Sequence, residues 1–447
     1  MNITECQLPQ ELLPELMKRL YDRELNTSRG GNISIQVSDG RWCTPSALDK
    51  ATLKPDDMMF FRNDGVVFGK NDVSLETYIH MNIMDRCKDR RAIIHVHALP
   101  IIEFSIANIA PKTDIYPTCV MDHIIPVTPF QIPGSQELAD TLVEAFNREN
   151  SPCVILANHG AFFAQNNIFD TVATVEATDS LCRTMQSAAC LGTLRPMPKN
   201  ARALLNRYRQ HKMSYTDDYP AFTGKTLQIA QEICKLSRRA YSRKLFNIDS
   251  GIYAARVDAN SFLIMSDHID RLNINPDDMI LIKDGKMPEG VPQPIHADFC
   301  MKMFNAYPSI NSIIIAQPAC AMIFACSNVQ FESTVLPESY SKLRNAHYVP
   351  FGGLHIETPS DIAAFDPKNG PVTFVENECI VCTSESIFNC FECCELVEEY
   401  ARIQVHIAQM KQRPVLLTDK QLSDVLYGEA HKRETDLERY SNRKAFK

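Results

Sequence analysis

The sequence predicts two tandem copies of one layered α/β domain, and three matched blocks carry that prediction. LMKRLYDRELNTSRGGNISIQV has a counterpart in LSRRAYSRKLFNIDSGIYAARV. TPSALDKATLKPDDMMFF matches MSDHIDRLNINPDDMILI, each containing Pro-Asp-Asp-Met, at Pro55 and Pro276. ANHGAFFAQNNIFD matches ENECIVCTSESIFN, which share Asn158 with Asn377 and Ile168-Phe169 with Ile387-Phe388. Blocks in unchanged order are the mark of an internal repeat. The copies are expected over residues 8–212 and 226–412, joined by the polar, Pro-containing stretch MSYTDDYPAFTG. A charged tail, 413–447, follows, with a helix-like centre and a basic end that read as solvated or packed on a partner.

Each copy opens with an amphipathic helix. Runs rich in β-branched residues then alternate with helical patterns. CVILAN is of the first kind; GSQELADTLVEAFNREN, starting at a capping Ser135, is of the second. That alternation argues for helices layered on a sheet.

A chain of 447 residues is too long for one ordinary core and suits two domains. Its formal charge of -8 offers no basic footprint, so nucleic acid and anionic membrane are poor partners. The N-terminus reads as neither a secretory signal nor a membrane span, and no apolar run reaches about 18 residues. Sixteen irregularly spaced cysteines read as reduced, mostly buried thiols of a cytoplasmic protein.

The chemistry-bearing residues lie in the first copy. His95 and His97 are two apart in the strand-like run Ala92–His97, so both project from one face. His159 follows the apolar run Val154-Ile155-Leu156 and ends another strand at a short turn. Three histidines suit zinc with one position open. Taken alone, a His-x-His pair on an apolar strand reads as satisfied core histidines. Ser74 is placed to cap a helix running to about Cys87, with Glu76 in its first turn and His80 one turn on, where it can orient the carboxylate.

Gly31-Asn32-Ile33-Ser34, Thr44-Pro45-Ser46, Glu76 with His80, His95-Val96-His97 and Asn158-His159-Gly160 together resemble the class II aldolase/adducin family in order and separation over nearly the whole first copy. The resemblance implies a three-layer α/β/α fold with a mixed central sheet, Zn2+ held by His95, His97 and His159, and Glu76 as acid/base. It also implies an enediolate stabilised by the metal, a role with an independent basis in a dication beside a developing oxyanion. By the same resemblance Gly31, Asn32, Ser46, Ala47 and Ser74 would hold a substrate phosphate, and Tyr116 lies near the place of a tyrosine that assists from a neighbouring subunit. Two departures weaken the phosphate site: Ala47 stands where glycine is common, and Leu75 where many members carry a second serine.

The second copy has lost the set: His95 becomes Ile315, His97 becomes Gln317, His159 becomes Glu378, Glu76 becomes His296, and Asn32 falls opposite Tyr253. A scaffold role is expected for it, with two chains forming a pseudo-fourfold ring. Cys379-x-x-Cys382 and Cys390-x-x-Cys393 have zinc-site spacing, but the repeat puts the first pair on a strand and the second on a helix, so buried thiols are expected instead. The leading expectation is a zinc-dependent aldolase-type lyase acting on a small sugar, sugar acid or sugar phosphate. Epimerisation, dehydration and decarboxylation use the same groups, and a non-catalytic, adducin-like interaction protein is the answer from a different class.

Overall fold

The computed structural model describes residues 8–217 and 221–428. Helix α1 (Pro9–Asp22) precedes strands β1 (Asn32–Gln36), β2 (Gly40–Cys43), β3 (Met59–Arg62) and β4 (Val67–Phe68). Then come α2 (Thr77–Arg86), β5 (Ala92–Val96), α3 (Leu99–Ala107), β6 (Val127–Thr128), α4 (Gln136–Glu149), β7 (Cys153–Leu156), β8 (Gly160–Gln165) and α5 (Ile168–Ala188). Helix α6 (Ala201–Arg207) and β9 (Ser214–Thr216) lead into the second copy. It begins with α7 (Gly224–Ser242), β10 (Ile252–Arg256), β11 (Ser261–Met265), β12 (Met279–Lys283) and β13 (Lys286–Pro288). It continues with α8 (Ala297–Ala306), β14 (Ser312–Ala316), α9 (Ala319–Cys326), α10 (Pro337–Leu343), β15 (His347–Val349), α11 (Pro359–Ala363), β16 (Val372–Val375), β17 (Cys379–Ser384) and α12 (Ile387–Gln409).

The repeat is repeated in space. The first sheet runs β4-β3-β2-β1-β5-β8-β7-β6, and the second runs β15-β16-β17-β14-β10-β11-β12-β13-β9, the same order with β9 added at one edge. Both sheets are mixed: β6 and β7 pair in parallel, as do β15 with β16 and β9 with β13. Strand register corrects one position. Asn32 stands across from His95, and Ile252 stands across from Ile315, so Ile252 and not Tyr253 is the counterpart of Asn32.

Alternation along β5 decides what the sheet does on each face. Ala92, Ile94 and Val96 enter one core, while Ile93 turns to the other face, against Ile79 and Ile83 of α2 and Leu142 of α4. His95 shares that second face by period two. The sheet is therefore covered on both sides, which gives the three layers the family resemblance implied. The apolar stripes of α1 (Leu13, Leu16, Met17, Leu20) and α7 (Ile229, Ile233, Leu236) enter the same core, so the two copies are fused across it. Each such side chain contributes about 1.5–3 kcal/mol on burial.

Polar contacts register the halves inside that apolar contact. Arg19 donates twice to Asp270, at 3.0 and 2.6 Å, and both side chains are buried. Arg23 donates to the Tyr241 carbonyl at 2.5 Å, stacks over the Tyr241 ring and lies 3.1 Å from Glu176.

The chain around the expected join packs on both units: Arg202 pairs with Asp122 of the first. Tyr208 and Met213 belong to the core on the outer face of the second sheet, and Leu205 packs against it. In the tail, residues 419–428 are helical and Leu417 N–H donates to the Thr334 carbonyl at 2.9 Å, while its basic end lies outside the described residues. Among the described residues no helix is long and apolar enough to cross a membrane.

Candidate metal centre and its surroundings

The Asn158-His159-Gly160 turn is built by conformation and close approach. Asn158 sits at φ +57°, a left-handed position that asparagine tolerates. The His159 N–H donates to Ser105 Oγ at 3.1 Å, which anchors the turn to α3. A Cβ at Gly160 would lie 2.6 Å from the Val96 carbonyl and 2.9 Å from the His97 ring, so only glycine lets β8 approach the histidine strand. At Gly31, φ is +73° and a Cβ would collide with Asn26, whose Oδ1 accepts the His97 N–H at 3.0 Å. Gly31 and Asn26 thus set where His97 leaves β5.

The three rings converge. Metal-ligating atoms of His95, His97 and His159 all lie within 4.8 Å of one another, and among the described residues theirs is the group of three or more such side chains that could hold a metal ion. His95 Nε2 and His97 Nε2 are 2.9 Å apart. A carbonyl can only accept, so His95 Nδ1–H must donate to Ala161 O at 3.0 Å, which makes Nε2 the acceptor nitrogen that faces His97. Burial pushes the pKa of His95 down to about 4, keeping the ring neutral. The neighbouring His97 is lowered by burial as well.

Glu76 faces this cluster. Its Oε1 lies 3.5 Å from His95 Nε2 and 3.3 Å from His159 Nε2, and its Oε2 accepts from Asn32 Nδ2 at 2.7 Å. Burial pushes its carboxyl up, but His95, His159 and Asn32 outweigh that and hold it well below the usual carboxylate range. Helix α2 starts at Thr77, so Glu76 is its cap residue rather than part of its first turn. Ser74 supports it by accepting the Thr77 N–H on its carbonyl at 3.0 Å and the Glu76 N–H on Oγ at 3.4 Å.

Two expected contacts are absent. His80 does not orient the Glu76 carboxylate; its Nδ1 pairs with Ser34 Oγ at 2.7 Å and its ring packs edge-on against Phe162, because its helix face points into the core. Tyr116 is 1% exposed, its hydroxyl 3.4 Å from Thr184 Oγ1, buried where the two halves meet. A side chain so placed does not reach into another subunit.

Ser46 N–H donates to the Asp72 carbonyl at 2.9 Å, tying the Thr44-Pro45-Ser46 turn to the loop that carries Ser74, and Ala47 takes φ +57°. Sequence reasoning missed Lys50, Asn26 and the Asn32–Glu76 bond. Lys50 is buried under the turn with Nζ donating to Pro45 O at 2.8 Å, and burial, opposed by Glu76, pushes its pKa down to about 8. A lysine or asparagine in a loop normally reads as solvated, so only the charge of Glu76 and the packing single these out. The Cys-x-x-Cys pairs behave as expected: Cys382 joins the core between the halves, Cys379 joins the opposite one, and Cys390 and Cys393 lie on α12.

A mixed sheet between helical layers, with three imidazoles and a carboxylate converging at its strand ends, defines a layered α/β protein with a candidate divalent-metal centre. The chain belongs to the class II aldolase and adducin family. The family model, described as the class II aldolase and adducin N-terminal domain, matches residues 11–186 and again 231–405. The chain is similar to a 3-oxo-tetronate 4-phosphate decarboxylase of Haemophilus influenzae, 24% identical over 39% of this chain and 85% of the relative. It is similar to an L-fuculose phosphate aldolase of Methanocaldococcus jannaschii, 28% identical over 37% of this chain and 88% of the relative. It is also similar to a 5-deoxy-D-ribulose 1-phosphate aldolase of Bacillus thuringiensis, 24% identical over 41% of this chain and 86% of the relative. Each match spans less than half of this chain and most of the relative.

Proposed function

We propose that the first unit is a zinc-dependent, aldolase-type lyase acting on a small sugar, sugar acid or sugar phosphate. The observation that carries this reading is the convergence of His95, His97 and His159 around one point that Glu76 faces. The donor set fits the ion: three imidazoles, one of them held neutral with its outer nitrogen committed to a backbone carbonyl, form a ligand set typical of catalytic zinc. Zinc bound there would supply Lewis-acid stabilisation of negative charge on substrate oxygens.

The remaining roles belong to the chain. Glu76 moves the proton, as a carboxylate held in place by Asn32 at one oxygen and free at the other once substrate displaces it from the histidines. Gly31, Asn32, Ser46, Ala47 and Ser74 bind the rest of the substrate. Leu75, 71% exposed beside Ser74, takes the place of a hydroxyl and favours substrates that are unphosphorylated or held differently. The names of the similar aldolases and decarboxylase agree with a carbonyl compound of this size. The same four groups, intact in one copy and lost in the other, argue against a purely adducin-like interaction role. Free thiols among the described cysteines suit a cytoplasmic enzyme.

The assembly we infer is two chains in a ring of four units. Helix α9 is sandwiched between α5 of the first unit and α12 of its own. Its counterpart α3 packs on α5 and leaves Leu99 66% and Ile106 62% exposed, where the equivalent Ala319 and Cys326 are buried. The counterpart of α5 is α12, so α12 of a partner chain would cover α3 just as α5 covers α9. The decisive experiment is a screen of zinc-loaded protein against ketose phosphates, free ketoses and sugar acids, with Glu76→Gln as the control. Turnover must vanish in Glu76→Gln while the fold persists; an unchanged rate removes Glu76 from the mechanism.

A further inference from the structure

The second unit keeps a cavity at the position equivalent to the histidine cluster, with a volume of about 400 Å3. Strand ends deliver Ile315, Gln317 and Glu378 to it, and His296 stands where Glu76 does. The loops deliver Asp249 and Asp267, where the first unit has Arg29 and Ser46. Pro117 and Met121 of the first unit and Tyr208 at the end of α6 complete the wall.

The wall is a built one. Tyr208 OH donates to Glu378 Oε1 at 2.6 Å, the Gly352 N–H donates to Oε2 at 2.9 Å, and the Tyr208 ring centroid lies 5.7 Å from that of His296. Gln317 Nε2 is committed to the carbonyls of Pro117 at 2.9 Å and Glu378 at 2.7 Å, which ties the two units together at the cavity. His296 Nδ1 is buried with no hydrogen-bond partner. The chain itself supplies no partner for that nitrogen, and a buried polar atom ordinarily has one.

Asp249, Asp267 and Glu378 stand where the first unit has Arg29, Ser46 and His159, which leaves three carboxyl groups in the wall of the second-unit cavity. Asp267 has one backbone donor, Ile295 N–H at 2.9 Å. Burial holds both Asp249 and Asp267 above the usual carboxylate range, although Arg271 and His268 oppose it. Arg271 donates to the carbonyls of Gly251, Ser266 and Ile269, so its charge acts on Asp249 and Asp267 from beside them rather than through a direct hydrogen bond. Arg202, which pairs with Asp122, and Arg209 and His268 also line the cavity but are exposed, where water screens them. A buried carboxylate gains most from a partner charge brought in with the ligand.

We propose that this cavity is a binding site for a small organic cation, with an ammonium group facing Asp249 and Asp267 and a short apolar chain against Ile252, Ile295 and Ile315. The site takes no metal and no phosphate, and it is independent of the lyase reading of the first unit. The test uses full-length protein stripped with a chelator, so that the first-unit centre plays no part. Binding of n-propylammonium and of inorganic phosphate is measured by calorimetry and ligand-observed NMR. Propylammonium is expected to bind, and phosphate is expected not to compete with it. Asp249→Asn and Asp267→Asn, near-isosteric changes checked by circular dichroism, should each weaken binding about tenfold or more, while His97→Ala leaves it unchanged. The proposal is overturned if propylammonium does not bind, if both Asn variants bind it as well as the parent, if phosphate displaces it, or if His97→Ala abolishes it.

Discussion

Asn32 and His95 stand directly opposite each other across β1 and β5, and from that position the Asn32 amide reaches the Glu76 carboxylate at 2.7 Å. One ladder pair therefore carries both an imidazole of the histidine cluster and the donor that holds the Glu76 carboxylate. In the second unit the same pair is Ile252 and Ile315, and the polar relationship is gone as a whole.

Asn32→Leu should keep the fold and cost activity. Removing a hydrogen bond to a charged group costs on the order of 1.5–3 kcal/mol, which corresponds to a loss of roughly ten- to a hundredfold in kcat/KM. Steady-state kinetics on the first confirmed substrate checks it; an unaltered kcat/KM would show that Glu76 needs no such partner.

Metal content is the next expectation. Purified protein should carry about one zinc per chain on the three-histidine count, and His97→Ala should carry none. Chelation should lower the melting temperature and zinc should restore it, because a ligand that binds only the folded state stabilises it by mass action. Two ions per chain by plasma emission would point to a second centre and break the asymmetry between the copies.

Glu378 makes stability depend on pH. Burial pushes its pKa up to about 7 against an ordinary 4.5, partly offset by Tyr208 and the Gly352 N–H. Below 4.5 the carboxyl is protonated folded and unfolded alike and costs nothing. Between 4.5 and 7 the unfolded chain releases the proton and the folded chain keeps it, so stability falls as pH rises, by on the order of 3 kcal/mol once above 7. Urea unfolding at pH 5 and pH 8 should therefore show a smaller difference in Glu378→Gln than in the parent.

The Arg19–Asp270 pair is a registering contact in the shared core. Arg19→Met leaves Asp270 as a buried, unpaired charge and should destabilise by about 3–5 kcal/mol, whereas Arg19→Met with Asp270→Leu should recover most of that loss. Denaturant midpoints for the two variants decide it; equal losses would mean the pair is stabilising in itself.

Leu99→Arg tests the ring. It places a charge on the exposed face of α3 and should convert a two-chain assembly to single chains by light scattering, with circular dichroism unchanged. A parent that already runs as one chain refutes the ring.

Much of this was legible in the chain. The repeat, the placement of His95 and His97 on one strand face and the substitutions in the second copy follow from residue identity and periods of two and 3.6, which are local properties. The paired Cys-x-x-Cys segments were separable for the same reason, since residues three apart on β17 must face opposite cores. The glycines at 31 and 160 were visible as glycines, but the atoms they make room for were not.

Sequence alone determined that this is a duplicated layered α/β chain with one polar and one apolar version of the same strand-end positions. Tertiary structure alone decided who meets whom: that Glu76 is held by Asn32 and not by His80, that Tyr116 is walled in between the halves, that Tyr208 packs in the outer core of the second unit, and that the second copy has a cavity. Those outcomes depend on contacts between residues tens to hundreds of positions apart, and a side chain's partners at that range are set by how helices and sheets pack, a quantity no local pattern encodes.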